Sequence, residues 1–160
     1  MKLYLLRHGE AQARAASDSQ RQLTPHGVDD VRMVARQFAA KGVTLDRCFV
    51  SPYVRAAETA TEFLRELHSD LPQESQALLK PEVRALEVMR FLQGVHDHHV
   101  LLVSHNPLLS ELTALLTEGS IENLRILSTA ELVCVALDGI GLGAGTAVYR
   151  LLPSDHAWHD

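Results

Sequence analysis

The chain has 160 residues, 46% of them hydrophobic, with two cysteines and a formal net charge of −5. That length fits one domain with a sizeable core and excludes a cofactor domain beside a substrate domain. The acidic balance speaks against a nucleic-acid partner, and no stretch approaches the ~18 apolar residues of a membrane span.

The apolar run before Arg7 is too brief for a signal peptide. Cys48 and Cys134 each sit inside an apolar run, which reads as reduced core thiols in a cytoplasmic protein. Of the 15 basic residues, 12 are arginine. The planar guanidinium fork matches carboxylate and phosphate oxygens, although base composition of a genome also raises arginine content.

Lys2–Leu6 is an apolar run, expected as a buried strand ending at Arg7. Residues 11–23 are polar and aperiodic, a loop carrying Asp18 and Arg21. Thr24 reads as an N-cap with Pro25 at the first helical position. Val28, Val31, Ala35, Phe38 and Ala39 follow at helical spacing, with Asp29 and Asp30 expected in the first turn and Gly42 as the stop. Cys48–Val50 is a second strand, after which Ser51-Pro52 repeats the cap-and-start signal for a helix whose face is Val54, Ala57, Thr61 and Leu64. Residues 69–81 read as a loop with a brief extended piece at Leu78–Leu79, and 85–94 as a helix. Val100–Val103 is a third strand and Pro107–Leu116 an apolar helix. Leu132–Leu137 and Ala147–Leu152 are two late strands joined by a glycine-rich turn, and the tail from Pro153, with His156, Trp158 and His159, is expected to be loose. Strands alternating with helices imply an α/β domain: a largely parallel sheet between helical layers.

Three strand ends carry polar groups at one topological level: Arg7-His8-Gly9-Glu10, then Ser51-Pro52 with Arg55 a turn later, then Ser104-His105-Asn106-Pro107. Ligands of open α/β sheets bind at the carboxyl ends of strands, so two arginines and two histidines are expected around one point. That set suits a phosphoryl group. Arg7 and Arg55 would bind its oxygens in pairs, and the helix start near Asn106 would add N–H groups and a positive dipole end. A neutral His8 would attack phosphorus in line to give a phosphohistidine that water hydrolyses, with the held charge removing the need for a metal. Gly9 would let the backbone approach closely beside the nucleophile.

These motifs resemble the histidine phosphatase superfamily, in its phosphoglycerate-mutase-like branch. The match rests on Arg7-His8-Gly9-Glu10, Leu23-Thr24-Pro25-His26-Gly27, Ser51-Pro52-Tyr53-Val54-Arg55-Ala56 with Thr59, and Ser104-His105-Asn106. The resemblance implies a three-layer α/β fold in a small version, His8 as nucleophile, and Arg7, Arg55 and His105 as the phosphate pocket. The small size and the run from Ala15 to Thr24 are most similar to the SixA-type phosphohistidine phosphatases. Those act on a protein histidine, typically on a phosphotransfer domain of a phosphorelay. By that likeness Arg21 is an additional phosphate or substrate contact, inorganic phosphate is the product, no cofactor is needed, and the chain is expected to work as a monomer.

The family's larger members place an acidic residue before the last motif to protonate a leaving alkoxide. Glu82 and Glu87 fall in that interval as candidate general acids, without an identifying pattern, and Glu58 is expected to pair with Arg55 or to face solvent. Weak acid provision agrees with an N-linked phosphoryl substrate. Two other readings stay open: a small-metabolite phosphatase or mutase of the same superfamily, and a phosphate-binding module without turnover. His96-Asp97-His98-His99 is expected as a solvated loop rather than a metal site. Six residues separate Cys48 from Arg55, one more than a cysteine-phosphatase loop requires.

Overall fold

A computed structural model describes residues 1–153; the tail with His156, Trp158 and His159 lies outside the described residues. The strands are β1 (Lys2–Arg7), β2 (Arg47–Val50), β3 (Gln73–Ser75), β4 (His99–Ser104), β5 (Leu132–Leu137) and β6 (Gly145–Leu151). They form one sheet in the order β3-β2-β4-β1-β5-β6. β3, β2, β4 and β1 pair in parallel, whereas β5 runs antiparallel to β1 and β6 to β5.

Four helices cover the two faces: α1 (Pro25–Ala39), α2 (Val54–Glu66), α3 (Ala85–Leu92) and α4 (Leu108–Glu118). Successive strand side chains point to opposite faces, so β1 divides its residues between two cores. Tyr4 and Leu6 pack with Val31, Phe38, Ala60 and Phe63 beneath α1 and α2. Leu3 and Leu5 pack with Val88, Leu92, Leu108 and Leu112 beneath α3 and α4. Both cysteines are buried and free, as the apolar runs imply. The Cys48 thiol lies in β2, where burial pushes its pKa to about 12, so no thiolate nucleophile stands there.

Thr24 does cap α1, its side chain accepting from Gly27 N at 2.9 Å. Four local expectations are corrected. Asp29 and Asp30 fall beyond the first turn of α1, and Asp30 pairs with His26 instead. Ser51 does not cap α2, whose N-cap is Tyr53 with no side-chain bond. The buried stripe of α2 is Arg55, Ala56, Thr59, Ala60, Phe63 and Leu64, one step round from the expected face. Both stripes have helical spacing, and the need to seat Arg55 at the sheet end and Phe63 in the core selects the second. Finally, Leu78–Leu79 belongs to a short 3-10 turn, and the extended piece is the edge strand β3, whose polar Gln73-Glu74-Ser75 carries no apolar pattern.

Candidate active site

β1, β2 and β4 end level with one another. Arg7 lies opposite Ser104 in register, Val50 opposite Val103, and Ser51 N donates to Val103 O. His8 N donates to Ser104 O at 3.0 Å and His8 O accepts from Ala130 N at 3.0 Å, so the backbone of His8 is clamped from both sides. Its Nδ1 stands 2.7 Å from Gly9 O. A carbonyl only accepts, so Nδ1 holds the proton and Nε2 carries the lone pair. Arg55 Nε donates toward that same Nε2 at 3.4 Å, in agreement with this tautomer. His8 is 7% exposed. Burial, reinforced by the charges of Arg55, Arg7 and Arg21, pushes its pKa down to about 4 against the opposing bond to Gly9. At neutral pH it is an uncharged imidazole whose in-plane lone pair on Nε2 meets only the long contact from Arg55 Nε, the condition a nucleophile needs.

Arg55 is 5% exposed and lies on the buried face of α2, in its first turn. Its Nη1 donates to Asp18 O at 2.8 Å, its Nη2 to Asp18 Oδ2 at 3.3 Å, and its guanidinium carbon lies 5.1 Å from the Tyr53 ring centre. His105 is 1% exposed, with its ring centre 5.1 Å from that of His8. Ser51 Oγ meets His105 Nε2 at 2.7 Å, which is the work this serine does in place of capping. His105 Nδ1 has no protein partner. Burial, with His8 and Arg55 nearby, pushes the His105 pKa to about 3.

Arg7 Nη1 donates to Leu127 O at 2.8 Å while its buried Nε has no partner. Burial and the charge of Arg55 lower its pKa, and Glu131 opposes them. Asn106 does not turn its amide to the pocket centre: Nδ2 donates to the same Leu127 O at 2.8 Å, and Oδ1 accepts from Ser110 Oγ at 2.6 Å. It therefore braces the loop that holds Arg7. Gly9 likewise makes its close approach to protein. A Cβ there would lie 2.8 Å from Gly27 O, while Gly9 N donates to Thr59 Oγ1 at 3.1 Å. A Cβ on Gly27 would lie 2.2 Å from Glu10 O, so the first two motifs lock glycine against backbone.

The loop after β1 is closed by a bridge between Ala11 and Leu23, which lays the 3-10 turn Asp18–Gln20 over Arg55. Asp18 Oδ1 accepts from Arg21 Nη1 at 3.0 Å, and Arg21 Nε donates to Gln12 O at 2.6 Å. Arg21 thus joins the cluster through Asp18, and its charge reaches His8. Arg21's hydrogen bond, with the charge and hydrogen bond of Arg55, holds the Asp18 carboxyl below the usual carboxylate range.

A groove of about 440 Å³ opens beside the cluster, lined by Asp18, Tyr53, Pro81, Glu82, Arg84 and Glu111, among others. Glu82 is at this groove. Glu87 is exposed in the first turn of α3 and does not line it. Glu58 does not pair with Arg55: it is half-buried, and its carboxylate accepts from Leu23 N at 3.0 Å. Among the described residues, no group of three or more His, Cys, Asp or Glu side chains could hold a metal. Of the His96–His99 run, Asp97 pairs with Arg47, and His99 Nδ1 meets the Tyr4 hydroxyl.

Two acidic residues escaped the sequence reading of the site. Asp18 was only a loop residue there, and Glu131 had no signal beyond a charge at the mouth of an apolar strand. Glu131 is fully buried. Its carboxylate takes Arg125, Arg150 at 3.2 Å and Ser128 N at 2.9 Å, and its carbonyl accepts from Arg7 N at 3.0 Å.

Residues 3–80 match the model of the histidine phosphatase superfamily (branch 1). The chain is 35% identical over 150 residues to phosphohistidine phosphatase SixA of Escherichia coli K12, covering 89% of each. The chain belongs to the histidine phosphatase superfamily. By class it is a phosphoryl hydrolase. A SixA homologue of Haemophilus influenzae is 33% identical over 124 residues, 71% of this chain and 76% of that one. The solved structure of the protein histidine phosphatase SixA with tungstate superposes with a TM-score of 0.89 at 32% identity, over 98% of this chain and 99% of that chain. The superfamily's α/β fold, in a small version, is the one described above. No helix among the described residues is long and apolar enough to cross a membrane.

Proposed function

We propose that this superfamily member is a phosphohistidine phosphatase that removes phosphate from a protein histidine, on a phosphotransfer domain of a phosphorelay, through a covalent phospho-His8 intermediate. The observation that carries the mechanism is the His8 tautomer. Nδ1 is tied to Gly9 O and Nε2 is left with its lone pair beside Arg55. Three guanidiniums (Arg7, Arg21, Arg55) stand against one carboxylate, Asp18, and leave two positive charges for a phosphoryl group of about two negative ones. Arg7, Arg21, Arg55 and His105 hold the oxygens, with the partnerless Arg7 Nε and His105 Nδ1 as unfilled positions for them. Those fixed cations supply the charge stabilisation, so the reading includes turnover without a metal. The SixA relatives, one named as a protein histidine phosphatase, support a protein histidine as the substrate class. A cytoplasmic monomer completes the reading.

The test is phosphate release from a phosphohistidine-bearing phosphotransfer domain and from p-nitrophenyl phosphate, in EDTA, by the parent protein and by His8→Ala. Release from the protein substrate that vanishes in the variant is the expected result. Release from the small ester alone would move the substrate to a metabolite. A variant as active as the parent would remove His8 as nucleophile.

A further inference from the structure

The buried cluster lacks a proton donor for a departing group: both imidazoles are neutral at working pH, and the arginines do not give up protons. An alkoxide would have to leave unassisted. Three of the carboxylates nearby are already occupied. Glu131 is held by Arg125, Arg150 and Ser128 N, Glu58 by Leu23 N, and Glu10 by the Thr24 hydroxyl. Glu82 and Glu111 line the adjoining groove with Asp18, but of the three it is Asp18 that is bonded to the buried Arg55. Arg21 and Arg55 each take one of its oxygens, and it still keeps 60% of its side-chain surface exposed toward further donors. It marks the boundary where the phosphate pocket ends and the space for the rest of the substrate begins.

We propose that Asp18 is a specificity-determining residue whose carboxylate accepts the N–H of the substrate imidazole at the ring nitrogen remote from phosphorus. The inference rests on the phosphohistidine reading above and deepens it. In the transfer, the His8 Nε2 lone pair forms a bond to phosphorus as the substrate's P–N bond breaks. The electron pair of that bond returns to the departing nitrogen. The substrate ring enters protonated at its remote nitrogen, as an imidazolium whose N–H faces the Asp18 carboxylate; it keeps that proton, so the substrate histidine leaves as neutral imidazole and no acid has to act. Water then attacks phosphorus, the bond pair returns to His8 Nε2, and both protons of the water leave with dihydrogen phosphate. The first step exchanges one imidazole for another. On the enzyme side the remote N–H of His8 is bonded to Gly9 O; Asp18 supplies the matching acceptor on the substrate side, with a full charge in place of a carbonyl dipole.

The test compares parent, Asp18→Asn and Asp18→Glu by kcat/KM on a phosphohistidine-bearing phosphotransfer domain and by calorimetric Kd for tungstate. Loss of a hydrogen bond to a charged group predicts a fall in kcat/KM of about 10- to 100-fold for D18N, with partial recovery in D18E. Tungstate is expected to bind D18N as tightly as parent or more tightly, because a competing anion has gone from Arg55 and Arg21. A positioning role alone would weaken both readouts together, and that result, or an unchanged kcat/KM, overturns the proposal. A parent protein that binds tungstate but releases nothing from the phosphohistidine domain overturns the substrate reading itself, and this assignment with it.

Discussion

Keeping His8 neutral predicts how stability changes with acidity. In an unfolded chain a histidine titrates near 6.5, whereas His8 in place titrates at about 4, chiefly through burial. The folded value lies below the unfolded one, so protons favour the unfolded chain. The contribution of His8 is fully present above pH 6.5 and is lost as pH falls from there toward 4. Between pH 8 and pH 5 one such site removes about 2 kcal/mol of unfolding free energy. His8→Asn ends the titration while its amide can still donate to Gly9 O. The void it leaves lowers stability equally at both pH values and cancels from the comparison. Urea unfolding of parent and H8N at pH 8 and pH 5, with equal m-values as the control for a common unfolded state, gives the difference directly. The parent is expected to lose about 2 kcal/mol more than H8N on acidification. Equal losses would mean that His8 titrates normally, and the account of a neutral, pre-set nucleophile would fall with it.

The glycine contact between the first two motifs predicts that Gly9→Ala lowers stability by about 1–3 kcal/mol, and Gly27→Ala by more, because their Cβ atoms would lie 2.8 and 2.2 Å from main-chain oxygens. Thermal unfolding measures both, and a G27A protein as stable as parent would contradict the contact. Glu131→Gln is expected to cost about 1–3 kcal/mol by denaturant unfolding. The figure sits at the low end for a buried pair because Arg125 and Arg150 stay partly solvated. A change below about 0.5 kcal/mol would show that the carboxylate does not hold the loop.

The central strands were readable because β1, β2, β4 and β5 are buried apolar runs, and a polar residue at the end of each parallel one marks where side chains turn toward a ligand. That is why His8, Arg7, Arg55 and His105 could be gathered without coordinates. The face of α2 could not be read the same way. Val54, Ala57, Thr61, Leu64 and Ala56, Ala60, Phe63, Leu64 fit a helix equally well, and only the requirement that Arg55 point inward separates them. β3 was missed for a related reason: Gln73-Glu74-Ser75 is held at the sheet edge by backbone pairing to β2, which leaves no side-chain pattern behind.

The acidic residues show where local reading ends. Glu131 is built into the site through contacts with residues near and far in the sequence, and its carbonyl and Ala130 N reach Arg7 and His8 across more than 120 positions. Its burial depends on two arginines converging on it, and neither their spacing nor their neighbours announce that. Asp18 is similar. Its neighbourhood is polar and aperiodic, and it enters the site only because Ala11 and Leu23 close the loop beneath it. The sequence motifs therefore contain the groups that would bind and attack a phosphoryl centre, while the groups that aim and balance them are set by long-range pairing. The charge of the pocket follows from that division. Arg7 and Arg55, placed by motif, and Arg21, drawn in through Asp18, carry three positive charges, and the Asp18 carboxylate reduces the excess to the two that a phosphoryl dianion matches.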